Sequence, residues 1–357
     1  MANVDFKTAH LILEKAFQEA EQVNDAMAEF ITSALNHRHK TYKYVLVTAL
    51  LAKSANEAVY MLSMQKGGST PAHYDARSLC HKVIVPFEKL SMPGCLENSN
   101  EPFCNKPARY VELSKDNAVR SGSDKELLCK LVDYLPAIAT SEEAYKYLKH
   151  ACWVMKQRHE NYLKKFSLGD TLIDVSEFSQ LVLDYVYKLT DHTLEGEVCP
   201  LIVAELEKLY LGEGYRIVPH KVNESGSSSK EVGDIDVFDA NGELVNAIEV
   251  KDKDFGEQDV VHAINKFRAA HLLNSMFIYG KNVNFDEDAV FNALKRIGHE
   301  GHYCCLISIL NYAKLRISEL RNVTLRDFVD GLLKFSKAIN AKDDTIIAIK
   351  EIASQIF

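Results

Sequence analysis

Apolar residues along the first sixty positions recur at helical spacing. In "TAHLILEKAFQEAEQVNDAMAEFITSAL" the repeat runs through Leu11, Phe17, Ala20, Met27, Phe30 and Ile31. "TYKYVLVTALLAKSANEAVYML" is apolar on most sides, which predicts a helix at the centre of a helical core. "KGGSTPAHY" predicts a loop. Residues 75–124 are rich in Pro, Asn, Ser and Gly and predict a long loop-rich stretch, a kind that is often functional. Helical periodicity resumes in "KELLCKLVDYLPAIATSEEAYKYLKHACWVMKQRHENYLKKF".

From about Leu194 the pattern alternates. "EVCPLIVAELEKLYLGEG" predicts a helix closed by Gly212 or Gly214, and "YRIVPHKV" predicts a strand. "NESGSSSKE" predicts a flexible loop, within which "SGSSSK" suits a flap that orders on a ligand as well as a plain linker. Two strands, a polar helix over Gln258–Leu273, the strand "SMFIYG", the helix "EDAVFNALKRIG", the strand "YCCLISIL" and further helices follow. The order α-β-β-β-α-β makes the second half an α/β domain, and the whole chain α/β (α+β).

The two strands in "VGDIDVFDANGELVNAIEVKDKD" crowd acids and lysines onto a hairpin. Asn241-Gly242 predicts a type I′ turn, because both of its central residues take positive φ. In that register Asp236 faces Ala247 and Asp234 faces Glu249. Asp234, Asp236, Glu249 and Lys251 then share one sheet face, while Ile235, Val237, Ile248 and Val250 face a helix. Like charges so placed repel, and a divalent cation reverses the sign of that interaction. Mg²⁺ takes one or two carboxylates, so an acid pair with the Val250 carbonyl forms a candidate site, with Lys251 beside the attacking water. The same residues also suit the solvated face of an ordinary hairpin, and the hairpin alone leaves both readings open.

Composition narrows the classes. The 357 residues carry a formal net charge of −8, so no global positive field exists, although a local basic groove would suffice for nucleic acid. "MANVDFKTAHLILEKAF" lacks an apolar region ending in a small-residue cleavage site. "YVLVTALLA" is about half the roughly 20 residues a membrane span needs. A cytoplasmic protein without membrane contact is expected. Eight scattered cysteines without a CxxC pair predict buried free thiols rather than a zinc ribbon. His37 and His39 in "NHRHK" point apart on a helix. There is no GxxxxGK[ST] and no GxSxG, and "LGEGYR" lacks the third glycine of a dinucleotide loop.

"GEVCPLIVAELEKLYLGEGYRIVPHKV" followed by "GDIDVFD" and "AIEVKDK" resembles the PD-(D/E)xK nuclease superfamily, especially its resolvase-like branch. The resemblance covers roughly a quarter of the chain. It implies a core with a central mixed sheet flanked by helices. It matches Glu197 to a catalytic helix glutamate, Asp236 to the metal-binding aspartate, and Glu249 and Lys251 to the acid-x-Lys pair. Asp234 stands as the alternate aspartate, which the hairpin register favours, and the Val250 carbonyl completes the metal set. Glu197 also lies in a first helical turn, where acids are favoured regardless of function.

"TYKYVLVTALLAKSANEAV" and "YDARSLCHKVIVP" resemble the N-terminal region of the SacI-type restriction endonuclease family. That implies a type II enzyme cutting both strands of double-stranded DNA at a short palindrome. It further implies a Mg²⁺ cofactor for which Mn²⁺ substitutes, a homodimer, and a cognate DNA methyltransferase without a stable complex. The expected organisation is a mainly helical region over 1–190 with the DNA-recognition stretch 75–124, a catalytic core over 191–310, and C-terminal helices over 311–357. Arg77, Asn98, Asn100, Asn105, Lys106, Arg109, Asn117 and Arg120 supply side chains that read guanine and adenine edges, though such residues are also ordinary in turns. Lys253 and Lys266 join them as candidate backbone contacts, beside His262, Asn265 and Arg268, though a solvated helix face explains the helix residues nearly as well. Two alternatives remain: a junction-resolving or repair nuclease of the same superfamily, and a non-catalytic helical interaction protein.

Overall fold

Every residue from Thr41 to Ala52 is buried, so the helix that is apolar on most sides is the centre of the first of two compact units. The units divide between Lys164 and Lys165. The computed structural model describes residues 2–117, 121–192, 194–220 and 231–356. The central helix is α3 (Lys40–Ala55), preceded by α1 (Phe6–Gln18) and α2 (Ala26–Asn36). It is followed by α4 (Ala76–Leu79), α5 (Val85–Ser91), α6 (Ser123–Tyr134) and α7 (Ser141–Lys165).

The periodic run from Thr8 to Leu35 is broken in the middle. Asp25 leaves helical dihedrals and its carboxylate accepts from the Ala28 N–H at 2.9 Å, an N-cap that starts α2. The inward face of α1 is Ala9, Leu13 and Ala16, while Leu11 is exposed. The face is set by position around the helix, so Leu13 points inward while Leu11, two residues earlier, does not. The stretch 75–124 also differs from a plain loop, because α4, a wide π-helical turn (Cys80–Ile84) and α5 run without a break. Pro86 lacks an N–H; the wide turn, in which the Val85 N–H reaches Cys80 O, accommodates it. Beyond Met92 the chain is irregular and anchored from inside: buried Glu88 accepts the N–H groups of Leu96 (2.7 Å) and Asn98 (3.0 Å).

The second unit holds α8 (Ser179–Leu189), α9 (Val198–Leu211), β1 (Arg216–Pro219), β2 (Ile235–Phe238), β3 (Leu244–Lys251) and α10 (Glu257–Ala269). Then follow β4 (Asn274–Tyr279), α11 (Glu287–His299), β5 (Tyr303–Ser308), α12 (Ile309–Glu319), α13 (Leu325–Ala338) and α14 (Asp343–Ser354). The sheet order is β1-β2-β3-β4-β5. The first three strands are antiparallel and the last three parallel, because α10 and α11 serve as crossovers. The sheet is therefore mixed and the fold α+β. One face (Ile235, Val237, Ile248, Val250) packs with residues of α8, α9 and α12 to α14. The other (Ala247, Phe277) packs with Val260, Ile264 and Phe267 of α10 and Val290 of α11. The expected organisation placed boundaries at 190 and 310; α8 and the C-terminal helices share the sheet's own core. Among the described residues no helix is long and apolar enough to cross a membrane.

Helix α10 ends before Leu273, because His271 takes a left-handed conformation (φ 61°) and the Leu272 N–H reaches back to Phe267 O at 3.1 Å. Glu205 of α9 is buried over Gly331 of α13, where any Cβ would collide with its carboxyl group. Burial pushes the Glu205 pKa up to about 8, against the charges of Lys334 and Lys208, from an ordinary value of 4.5. The folded state thus holds this proton more tightly. The associated stability is fully present below the unfolded value and is lost as pH rises through the folded one. Glu205→Gln should flatten the fall in urea midpoint between pH 5 and 8; an unchanged pH profile would contradict this.

Candidate active site on the sheet hairpin

The hairpin pairs Ile235 with Ile248, Asp236 with Ala247 and Val237 with Asn246, the register expected from the sequence. The turn that sets it is different. Gly242 N–H bonds Asp239 O at 3.0 Å, and of the Asn241-Gly242 pair only Gly242 takes positive φ (82°). This is a type I turn with a bulged glycine, not type I′. The Asp239 carboxylate selects it by accepting the N–H groups of Asn241 and Glu243, both at 2.9 Å. The turn shifts the register by one residue. A second irregularity, where Phe238 faces Leu244 while Val237 faces Asn246, shifts it back. The two cancel before the acids are reached.

One pair beyond the ladder, the Asp234 carboxylate continues it by accepting the Val250 N–H at 2.8 Å. The segment leading into it passes so close to β3 that a Cβ on Gly233 would lie 2.7 Å from Ile248 O. Glu249 is buried; its Oε1 meets Lys251 Nζ at 2.9 Å and its Oε2 has no hydrogen-bond partner. Burial first, and the Glu249 charge second, push the Asp234 pKa up to about 6. For Lys251, burial works against the charged form, but Glu249, Asp234 and Asp259 together outweigh it and raise its pKa above the ordinary value. Lys266 of α10 acts on Asp234 in the opposite sense to Glu249. Asp234, Glu249 and Lys251 therefore form one electrostatic cluster, with Asp259 and Lys266 behind it.

Asp236 is engaged elsewhere. Its Oδ2 meets His220 Nε2 at 2.9 Å and the Val232 N–H at 3.2 Å, and its Oδ1 accepts the Gly233 N–H at 2.9 Å. No sequence signal singled out His220. Strand alternation would have found it, since His220 pairs beside Asp234 through an N–H bond to Asp234 O at 2.8 Å.

Glu197 has a different set of neighbours. Its Oε2 accepts the Lys342 N–H at 3.0 Å and the Thr345 hydroxyl at 2.7 Å, so it caps α14. Among the described residues no hydrogen bond or ion pair joins it to Asp234, Glu249 or Lys251. Glu197→Ala should cost about 1–3 kcal/mol in denaturant unfolding by orphaning the buried Thr345 hydroxyl and the part-buried Lys342 N–H. Glu197→Gln keeps an acceptor and should cleave as wild type does; a hundred-fold slower Gln variant would return Glu197 to the chemistry.

The recognition candidates divide. Asn98 turns inward, its Oδ1 accepting the Gly94 N–H at 2.8 Å, and Asn117 donates to Glu112 O at 2.9 Å. Arg77 reaches Cys104 Sγ at 3.0 Å and Glu101 at 3.4 Å. Asn100, Asn105, Lys106, Arg109 and Lys253 are exposed, and Lys266 is partly so. Arg120 and the "SGSSSK" loop lie outside the described residues.

The donor set fits a hard divalent cation. Glu249 Oε2 is a buried oxygen without a partner, and Asp234 is a carboxylate held against its like charge. Successive strand residues turn their peptide groups to opposite edges. Lys251 O accepts from Gly280 on the β4 side, so the Val250 peptide turns toward Asp234, which its N–H already meets. Among the described residues no three Asp, Glu, His or Cys side chains converge as a closed cage. A closed zinc-type site is thus not built there, whereas Mg²⁺ needs only one or two carboxylates and keeps its waters.

Fold and cluster together define an α+β protein of two units whose second unit carries coupled acids and a lysine on one sheet face. The models of the SacI restriction endonuclease N-terminal and C-terminal domains match residues 8–159 and 175–281. The chain belongs to the SacI restriction endonuclease family, and the family is one of nucleases. The C-terminal match contains the hairpin with Asp234, Asp236 and Glu249, and also Glu197. No curated protein matches the chain.

Proposed function

We propose that the protein is a type II restriction endonuclease that hydrolyses both strands of double-stranded DNA at a short palindromic site in the cytoplasm. The observation that carries the placement of the active site is the unpartnered buried Oε2 of Glu249 beside Asp234 and Lys251. Glu249, Asp234 and the Val250 carbonyl would hold Mg²⁺, with Mn²⁺ able to substitute. The bound cation supplies Lewis-acid polarisation of the scissile phosphate. Asp236, which the superfamily resemblance favours as the ligand, is assigned instead to fixing the segment that presents Asp234, because it accepts the Val232 and Gly233 N–H groups of that segment and meets His220 beside it.

Lys251 is kept charged by Glu249 and Asp234. Its ammonium donates toward the attacking water and meets the negative charge that builds on the phosphate oxygens in the transition state. Lys266 and Lys253 extend positive charge from the site for the DNA backbone. The exposed Asn100, Asn105, Lys106 and Arg109 of the first unit offer the side chains that read base edges. A two-fold homodimer brings one such site to each strand of a palindrome. A cognate methyltransferase modifies the same site without a stable complex.

Digestion of a sequenced plasmid in Mg²⁺, with end mapping, tests this. Discrete ends at one repeated sequence are expected. Cutting only at branched or mismatched DNA would instead mark a junction or repair nuclease.

A further inference from the structure

We infer that His220 is a positioning residue of this site, acting through Asp236 on the segment that presents Asp234; the inference rests on the metal-binding reading of the hairpin face. Asp236 is 1% exposed, and a buried polar side chain must find its hydrogen-bond partners within the protein. Two of its donors are main-chain N–H groups of Val232 and Gly233, and the third is His220 Nε2. A carboxylate only accepts, so Nε2 carries the proton. The other ring nitrogen, Nδ1, lies 3.6 Å from Glu231 Oε1. His220 also joins Asp234 directly through its own main-chain N–H at 2.8 Å.

The geometry leaves little slack. Gly233 touches the β3 backbone, Asp234 follows it, and the Asp234 carboxylate rests on the Val250 N–H. His220 closes this arrangement from the β1 side, tying the residue that follows β1 to residues 231–236. A ligand carboxylate must be held to within about 0.5 Å to bind and work. Loss of the imidazole donor leaves Asp236 short of a partner, frees Val232 and Gly233, and so misplaces Asp234.

The test is Mn²⁺ binding by calorimetry on the full chain, with two variants that fill the ring's volume. His220→Met has no donor, and His220→Gln restores one. The methionine variant should bind Mn²⁺ about 10–100-fold more weakly, and the glutamine variant should recover most of that loss. A purely structural role would lower the urea midpoint of both variants equally and leave the Mn²⁺ affinity of the folded protein unchanged. Wild-type affinity in His220→Met, or equal weakening in His220→Gln, overturns the inference alone. A wild-type chain that binds no Mn²⁺ overturns the reading of the face, and the inference with it.

Discussion

Lys251→Ala should reduce DNA cleavage by on the order of a hundred- to a thousand-fold, the usual cost of removing a charge aimed at the transition state. Its effect on DNA affinity, measured in Ca²⁺ in place of Mg²⁺, should be small. The reason is position: Lys251 Nζ sits 2.9 Å from Glu249 Oε1, inside the cluster rather than out on a groove wall. Lys251→Arg should not restore activity, since a planar fork cannot occupy the place of a compact ammonium. Cleavage by Lys251→Ala at the wild-type rate would remove the hairpin face from the chemistry.

Asp234→Asn should move two quantities in opposite directions. Mn²⁺ affinity should fall steeply, because a charged ligand is gone. Metal-free stability at pH 8 should rise. The pKa of Asp234 is raised to about 6 in the fold from an ordinary 3.8, so its ionised form is penalised there and stability is lost as pH rises through the folded value. The amide keeps an oxygen for the Val250 N–H while removing the repulsion with Glu249. Such a trade of stability for function is common at active sites. Asp236→Asn should weaken Mn²⁺ binding without abolishing it and should lower stability, since three partners spread over two oxygens then share a single acceptor oxygen. Loss of Mn²⁺ binding in Asp236→Asn with wild-type binding in Asp234→Asn would transfer the ligand role to Asp236.

Much of this region was legible because a period of two leaves few choices. Ile235, Val237, Ile248 and Val250 had to face a core, and that fixed the side on which Asp234, Asp236, Glu249 and Lys251 emerge. The turn was not legible, because Asn-Gly suits both a type I′ turn and a bulged type I turn. The Asp239 carboxylate, by catching the N–H groups of Asn241 and Glu243, decides between them. The end of α10 was hidden because His271 adopts the conformation where glycine is usual. The helical stretch from Ala76 to Ser91 was hidden by Pro86, whose accommodation needs a wide turn that no simple period announces.

Contacts between residues far apart in sequence were the least legible. Glu197 caps a helix that begins 146 positions later, at Asp343, and no local pattern in "GEVCP" points there. The central role of α3 was visible, by contrast, because burial on all sides writes itself into a long apolar run, whereas the mixed sheet was expected from the family resemblance. The partners of each aspartate needed the fold itself. The register set Asp234 opposite Glu249, and the structure adds that Asp236 is already held by His220, Val232 and Gly233.

The most direct measurement is a Mn²⁺ binding isotherm for the wild-type chain and for Glu249→Gln. One ion per chain should bind the wild type, and no measurable binding should remain in Glu249→Gln, since the unpartnered Oε2 then becomes part of a neutral amide. Equal binding by both proteins, or none by the wild type, would contradict a metal site on this face.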